Sequence, residues 1–126
     1  MEKQKILIVD DSEMNRTLLA DILEDKYDII EADNGAKAIE ILSQQRTEFS
    51  LLLLDIMMPE MDGTEVLSYI SKYHWNDNFA VIMISADDSP LNIKRAYDLG
   101  AFDYISRPFD STIVQRRISN TMLLYA

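Results

Sequence analysis

The chain of 126 residues has no cysteine, one histidine, and only three glycines and three prolines. The lack of cysteine excludes disulfides, thiolate metal sites and thiol nucleophiles, and it suits a reducing compartment. No apolar run approaches the length that spans a membrane, and the run at residues 6–9 is too short for the core of a signal peptide. We therefore expect a cytoplasmic protein that makes no membrane contact.

Acidic residues dominate the charge, with 22 Asp and Glu against 12 Lys and Arg, for a net charge of -10. Such a chain is repelled by phosphate backbones, so we expect no nucleic-acid binding by this domain. The same charge is compatible with binding a cation. Hydrophobic residues make up 48% of the chain, which is enough for a packed core, and the length suits a single domain over residues 1–126.

Two hydrophobic patterns alternate along the chain. Short apolar runs, typical of strands buried on both faces, occur at residues 6–9, 27–32, 50–54, 79–84 and 102–105. Segments with helical periodicity follow them, and Ser12, Ser89 and Asp110 are predicted caps. The first of these helices carries an apolar stripe formed by Met14, Leu18, Leu19, Ile22 and Leu23. This alternation predicts an α/β fold with a parallel five-stranded sheet and helices on both faces.

Polar residues follow the predicted strands at the edge of the sheet where ligands of such folds bind. The first strand ends in Asp10 and Asp11, the third in Asp55, the fourth in Ser85 and the fifth in Arg107. Converging carboxylates repel, because two like charges about 4 Å apart cost roughly 4 kcal/mol at a dielectric near 20. The cluster must therefore bind a metal, share protons or be held apart. With oxygen ligands alone, the metal would be a hard cation, Mg²⁺ before Ca²⁺.

A purely structural interpretation also exists, in which Asp10 and Asp11 cap the first helix and Asp55 is a turn residue. It leaves unexplained why acidic residues end two apolar strands that are distant in sequence. We therefore favour a functional site over this interpretation.

The chain resembles the receiver domain of two-component response regulators over nearly its whole length. The matching stretches are KILIVDD at 5–11, LLDIMMPEMDG at 53–63, ISA at 84–86 and GAFDYISRPF at 100–109. The resemblance implies a flavodoxin-like (βα)5 fold, doubly wound, with strand order 2-1-3-4-5. It also implies a signalling module rather than an enzyme, which takes a phosphoryl group from a sensor histidine kinase or a phosphotransfer protein.

The resemblance assigns roles to individual residues. Asp55 would be the phosphoacceptor, and Asp11, Asp55 and the backbone carbonyl of Met57 would ligate Mg²⁺ directly, with Asp10 acting mostly through water. Ser85 would hydrogen-bond the phosphoryl group, and Tyr104 would change rotamer with it. The chemistry agrees with these roles, since a carboxylate nucleophile gives a mixed anhydride and a metal screens the approach of two anions.

One position departs from the family pattern, because Arg107 stands before Pro108 where receivers carry a lysine. Arginine keeps the charge but replaces a compact ammonium with a planar fork. Arginine can pair with phosphate, but the sequence does not show whether its side chain fits the space that a lysine would occupy. This substitution keeps alive an alternative, a receiver-like interaction module that is insensitive to phosphorylation.

Two enzyme or cofactor classes share parts of the pattern. Haloacid-dehalogenase-type phosphohydrolases use an Asp-x-Asp pair at the nucleophile, but the residue two positions after Asp55 is Met57. Flavin-binding modules of this fold class have a hydroxyl-rich phosphate loop, whereas Asp10 and Asp11 would repel a phosphate. Both classes are therefore less favoured than the phosphoacceptor.

The end of the chain is helical and apolar without a stop signal, so two alternatives stay open: a stand-alone receiver, and the N-terminal part of a longer response regulator. The resemblance suggests an output domain of the diguanylate cyclase or phosphodiesterase type. The face formed by the fourth helix, fifth strand and fifth helix is the expected output or homodimer surface. On it we expect Tyr104, Ile113, Val114 and Arg117 to provide anchor and rim residues.

Overall fold

The computed structural model describes residues 3–86 and 89–125. Its strands are β1 (Lys5–Val9), β2 (Asp28–Ala32), β3 (Leu51–Asp55), β4 (Ala80–Ser85) and β5 (Asp103–Ser106). Its α-helices are α1 (Glu13–Leu23), α2 (Gly35–Gln45), α3 (Gly63–Lys72), α4 (Pro90–Asp98) and α5 (Ser111–Leu124), with short 3-10 turns at Arg46–Glu48 and Trp75–Asp77. The strands form one sheet in the order β2-β1-β3-β4-β5, and all pairs are parallel. The predicted fold class and strand order are confirmed.

The register of the sheet brings the strand ends together. Val9 pairs with Leu54, and Asp55 pairs with Ile84 on the neighbouring strand. One residue further along β4, Ser85 pairs with Ser106 at the end of β5. The residues that follow β1, β3, β4 and β5 therefore lie along one edge of the sheet.

The sheet separates two hydrophobic cores, because alternate side chains of each strand point to opposite faces. On one face, Leu7, Leu52 and Val81 pack against residues of α2, α3 and α4. On the other face, Ile8, Leu53 and Ile82 pack against residues of α1 and α5. β1, β3 and β4 are buried on both sides, which accounts for their unbroken apolar sequences.

The helices begin at the predicted caps. Ser12, Ser89 and Asp110 accept hydrogen bonds from backbone N–H groups in the first turns of α1, α4 and α5. Asp62 does the same for α3, and Asn34 for α2. These caps satisfy N–H groups that have no partner inside the helix, and they determine the residue at which each helix begins.

The structure divides the apolar residues predicted on α1 and α5 between the core and the surface. In the predicted stripe of α1, Leu19 and Leu23 are buried, whereas Met14 and Leu18 are 73% and 48% exposed. Val114, expected on the output surface, is fully buried against the sheet. In both helices the sheet covers only one of two adjacent apolar rows.

Candidate functional site

Three carboxylates converge at the edge of the sheet. Asp10, Asp11 and Asp55 each offer an oxygen, and these atoms lie within 4.8 Å of one another. Asp10 and Asp55 are almost completely buried, whereas Asp11 is exposed. The predicted convergence of the ends of β1 and β3 is therefore present, and it produces a pocket with one solvent-facing carboxylate.

The turn between β1 and α1 holds Asp10 through its backbone and its side chain. The Asp10 N–H donates to the Ala32 carbonyl at 3.2 Å, and Asp10 Oδ1 accepts from the Ser12 N–H at 2.9 Å. The Asp10 carbonyl accepts from Arg16 Nη1 at 2.8 Å. Asp10 is thus fixed to β2, to the start of α1 and to the first turn of that helix.

The turn after β3 brings backbone close to Asp55. The Met57 N–H donates to Asp55 Oδ1 at 3.3 Å, and the Gly63 N–H donates to the Ile56 carbonyl at 2.9 Å. A Cβ atom on Gly63 would lie 2.2 Å from the Asp55 carbonyl oxygen, which is closer than any real contact. Only glycine allows α3 to start this near to the end of β3.

Arg107 reaches into the pocket from the end of β5. Its Nη2 contacts Asp10 Oδ2 and lies 3.1 Å from Asp55 Oδ1, and the side chain is only 22% exposed. The Arg107 N–H donates to the Ser85 carbonyl at 3.0 Å, which ties the residue to the end of β4. The guanidinium therefore neutralises part of the carboxylate cluster.

Burial changes the protonation of the two inner carboxylates. Burial raises the pKa of Asp55 from 3.8 to about 6; the charge of Asp10 adds to this rise and Arg107 opposes it. Burial also raises the pKa of Asp10, against a hydrogen bond from Ser12 and the charge of Arg107. Losing contact with water disfavours the charged form of a carboxylate, and one guanidinium compensates only partly.

The donor atoms of the pocket fit a hard divalent cation. All three acidic side chains offer oxygen, the ligand type that Mg²⁺ prefers. Asp55 Oδ2 is buried and accepts no hydrogen bond from residues 3–86 or 89–125, so one acceptor in the pocket is left for a cation or another donor. Arg107 is the competing cation, because its Nη2 already contacts two of the three carboxylates.

The other predicted site residues lie on or directly after β3, β4 and β5. Ser85 is fully buried at the end of β4, one residue beyond the partner of Asp55. Met57 projects an exposed side chain, and its carbonyl remains a predicted ligand. Tyr104 lies inside the core on the α3–α4 face, and its carbonyl accepts from Arg117 Nη1.

The contacts of two residues at this edge were not anticipated from the sequence. Arg16 binds the Asp10 carbonyl, and Gly63 provides the close approach to Asp55. Arg16 lies one helical turn after the Ser12 cap, but the spacing does not indicate that its guanidinium turns back to the Asp10 carbonyl. An open cavity of about 390 Å³ adjoins the guanidinium; its lining residues are Asn15, Leu18, Ala86, Arg107, Pro108 and Phe109.

Comparison with known proteins identifies the family. The model of the response regulator receiver domain matches residues 6–119. The chain belongs to this receiver family. Its members are signalling domains of two-component systems, and the expected family and its signalling role are therefore confirmed.

Similar receivers occur alone and inside much longer proteins. A chemotaxis protein CheY of Halobacterium salinarum is 37% identical over 97% of this chain and 98% of that protein. A histidine kinase P4 of Formosa agariphila is 34% identical over 96% of this chain, but the match covers 9% of that protein. This receiver thus spans nearly all of one curated relative and a small part of another.

Solved structures of response regulators share the fold of this chain. A chain in the CheX–CheY–BeF3–Mg²⁺ complex of Borrelia burgdorferi has a TM-score of 0.89 and 32% identity, with 96% of this chain and 90% of that chain covered. A putative two-component system response regulator/GGDEF domain protein has a TM-score of 0.90 and 27% identity, with 98% of this chain and 50% of that chain covered.

Among residues 3–86 and 89–125, no helix combines the length and the hydrophobicity that a membrane-spanning helix needs.

Proposed function

We propose that this receiver accepts a phosphoryl group on Asp55 and passes the resulting change to a partner or an output domain. The observation that carries the proposal is the buried Asp55 carboxylate at the end of β3, within 4.8 Å of oxygens from Asp10 and Asp11. The repulsion among these carboxylates destabilises the site unless a cation compensates their charge. In phosphoryl transfer, a metal ion at such a site also neutralises charge on the phosphoryl group.

Mg²⁺ is the cation that we assign to the pocket. Asp11, Asp55 and the Met57 carbonyl would hold it directly, with Asp10 acting through water. When bound, the ion would reduce the repulsion between the Asp55 carboxylate and the incoming phosphoryl oxygens. The exposed Asp11 gives the ion access from solvent.

Asp55 acts as the nucleophile in the transfer. Its Oδ1 already interacts with the Met57 N–H and with Arg107. A bond forms between a carboxylate oxygen of Asp55 and phosphorus, while the bond from phosphorus to a histidine nitrogen of the donor breaks. The electron pair of the broken bond stays on the imidazole nitrogen, and Asp55 becomes a mixed anhydride.

The remaining site residues respond to the phosphoryl group. Ser85 would donate its hydroxyl to a phosphoryl oxygen, and Arg107 would provide positive charge. Tyr104 would change rotamer in the switched state. Because Tyr104 is buried in the structure described here, that change would require α4 and β5 to repack around it.

The partners follow from the signalling role. We propose a sensor histidine kinase or phosphotransfer protein as donor, in the cytoplasm, and no catalysis by this domain beyond its own phosphorylation. Related receivers occur in a protein named histidine kinase and in one with a GGDEF domain. An output domain of the diguanylate cyclase or phosphodiesterase type, and a homodimer through the α4–β5–α5 face, remain part of the proposal.

A second candidate function is a receiver that works without phosphorylation. The contact of Arg107 with both Asp10 and Asp55 favours it, since a protein cation already compensates the carboxylates. In that case the pocket would be a structural ion pair, and partners would bind the same state at all times.

Beryllofluoride, a stable phosphoryl mimic, tests the proposal. With Mg²⁺ present, fluorine NMR should show a bound signal for the wild type and none for Asp55→Asn. The control is Asp21→Asn, an exposed carboxylate on α1, which should bind as the wild type does. A wild type that gives no bound signal at any beryllofluoride concentration would support the phosphorylation-independent function instead.

A further inference from the structure

Arg16 makes three contacts around the turn between β1 and α1. Its Nη1 donates to the Asp10 carbonyl at 2.8 Å, and its Nε lies 3.1 Å from Glu31 Oε1 on β2. Its backbone N–H donates to the Ser12 carbonyl at 3.1 Å. The side chain is only 15% exposed, so it is packed into the turn rather than extended into solvent.

The Asp10 carbonyl belongs to the peptide unit that joins Asp10 to Asp11. The other polar groups of Asp10 are held elsewhere: the N–H by Ala32, Oδ1 by Ser12 and Oδ2 by Arg107. The contact with Arg16 therefore sets the plane of the peptide that follows. Since a peptide is planar, fixing its carbonyl fixes the direction in which the chain enters Asp11.

We propose that Arg16 is a positioning residue for the Asp10–Asp11 carboxylate pair, with Glu31 holding the guanidinium in place. The inference rests on the proposed function, because it concerns the affinity of this pocket for Mg²⁺. Arg16 does not touch the ion or the phosphoryl group. It acts by keeping the exposed Asp11 carboxylate in the orientation that completes the cluster, and such outer contacts typically contribute 10–100-fold to metal affinity.

A simple electrostatic role predicts the opposite result. Arg16 is a cation near the pocket, so its removal should strengthen Mg²⁺ binding if charge alone matters. A positioning role predicts weaker binding when the contact is lost. Arg16→Lys separates the two further, because lysine keeps the charge but lacks the planar fork that joins the Asp10 carbonyl and Glu31.

The experiment is a Mg²⁺ titration of wild type, Arg16→Gln, Arg16→Lys and Arg116→Gln, followed by backbone amide shifts at Asp11 and Ser12. Arg116 is exposed on α5, so its variant reproduces the loss of one positive charge without touching the turn. We expect the Mg²⁺ dissociation constant to rise about 10-fold in both Arg16 variants and to stay unchanged or fall in Arg116→Gln.

A second measurement needs no metal. Hydrogen exchange of the Ser12 amide, which donates to Asp10 Oδ1, should accelerate severalfold in both Arg16 variants and not in Arg116→Gln. Urea unfolding then shows whether each variant is folded, and Arg16→Lys provides the test if Arg16→Gln is not. If Arg16→Lys binds Mg²⁺ with wild-type affinity and Arg16→Gln binds it equally well or more tightly, the positioning role of Arg16 is wrong. The proposed function would not be affected by that result. A wild type that binds no Mg²⁺ would overturn the proposed function and, with it, this inference.

Discussion

Arg107 Nη2 lies 3.1 Å from Oδ1 of Asp55 in an ion pair, and the same nitrogen donates to Oδ2 of Asp10. The guanidinium is therefore turned into the carboxylate pocket in the structure described here. Among the residues that the structure describes, none accepts a hydrogen bond from its buried Nε, so only part of the guanidinium is paired. Arg107 thus links Asp55 to the end of β5, the strand that also carries Tyr104.

This contact predicts incomplete switching in the wild type. To serve a phosphoryl group, Arg107 must give up at least part of its contact with Asp10 and Asp55, and charge-assisted hydrogen bonds are worth about 1.5–3 kcal/mol. With saturating beryllofluoride and Mg²⁺, amide shifts of Ser85 and Tyr104 should move further toward the active position in Arg107→Lys than in the wild type. If the wild type already switches fully, or the lysine variant switches less, arginine is a competent substitute.

The raised pKa of Asp55 predicts that stability falls as pH rises. Burial and Asp10 move the pKa from 3.8 to about 6, so the folded state holds more protons than the unfolded state between these values. By linkage, the free energy of unfolding should decrease by roughly 1–1.5 kcal/mol between about pH 5 and about pH 7.5 from this group. Asp55→Asn has no carboxyl group at this position. The free energy of unfolding of Asp55→Asn minus that of the wild type should therefore increase by the same amount as the pH rises through this window.

Urea unfolding without divalent metal, at both pH values, measures the difference. Asp21→Asn, which removes an exposed carboxylate on α1, is the matched control and should show no growing advantage. An Asp55→Asn advantage that is constant or shrinks toward neutral pH would contradict the assignment of the raised pKa to Asp55.

Gly63→Ala should destabilise the fold and disturb the pocket together. The added Cβ would lie 2.2 Å from the Asp55 carbonyl oxygen and 2.8 Å from Ile56 Cα, and both are backbone atoms that no rotamer change can move aside. Strain of this kind costs about 1–3 kcal/mol. Chemical denaturation measures the loss, and Ser68→Ala on the exposed side of α3 is the control. If Gly63→Ala is as stable as the wild type and its Asp55 amide shift is unchanged, the backbone between β3 and α3 has room for a Cβ atom and this prediction is wrong.

The homodimer proposal predicts that Ile113 is an anchor. Ile113 is half exposed, and so are Tyr97 on α4 and Phe102 before β5, whereas Val114 is buried and a charge there would disrupt the core. Light scattering with beryllofluoride and Mg²⁺ should show a mass increase for the wild type and none for Ile113→Glu. Ile30→Glu, the same change on β2 at the opposite edge of the sheet, should behave as the wild type. An equal increase in wild type and Ile113→Glu would remove this face as the interface.

The fold and the carboxylate cluster could be predicted from the sequence because both follow from the backbone. Apolar runs that are buried on both sides and alternate with helices determine a parallel sheet, and parallel strands end at one edge. Asp10, Asp11 and Asp55 directly follow or end such runs, so their convergence needs no knowledge of side-chain conformation.

Side-chain direction was harder to predict. Arg107 and Arg16 have long side chains with many rotamers, and spacing alone does not state whether such a guanidinium points into a pocket or into solvent. The burial of Val114 could have been predicted from helical periodicity. Val114, Ile118 and Met122 repeat every four residues on the buried face of α5, and Ile113 lies outside that row. The error came from grouping neighbours in sequence rather than residues on one helix face.

The central claim is that Asp55 accepts a phosphoryl group in a reaction that depends on a divalent cation. Its most direct test is intact-mass spectrometry after incubation with acetyl phosphate and Mg²⁺. The wild type should gain the mass of one phosphoryl group, the gain should disappear when the metal is chelated, and Asp55→Asn should gain nothing. Equal labelling of Asp55→Asn, or an unlabelled wild type that remains folded and binds Mg²⁺, would contradict the claim.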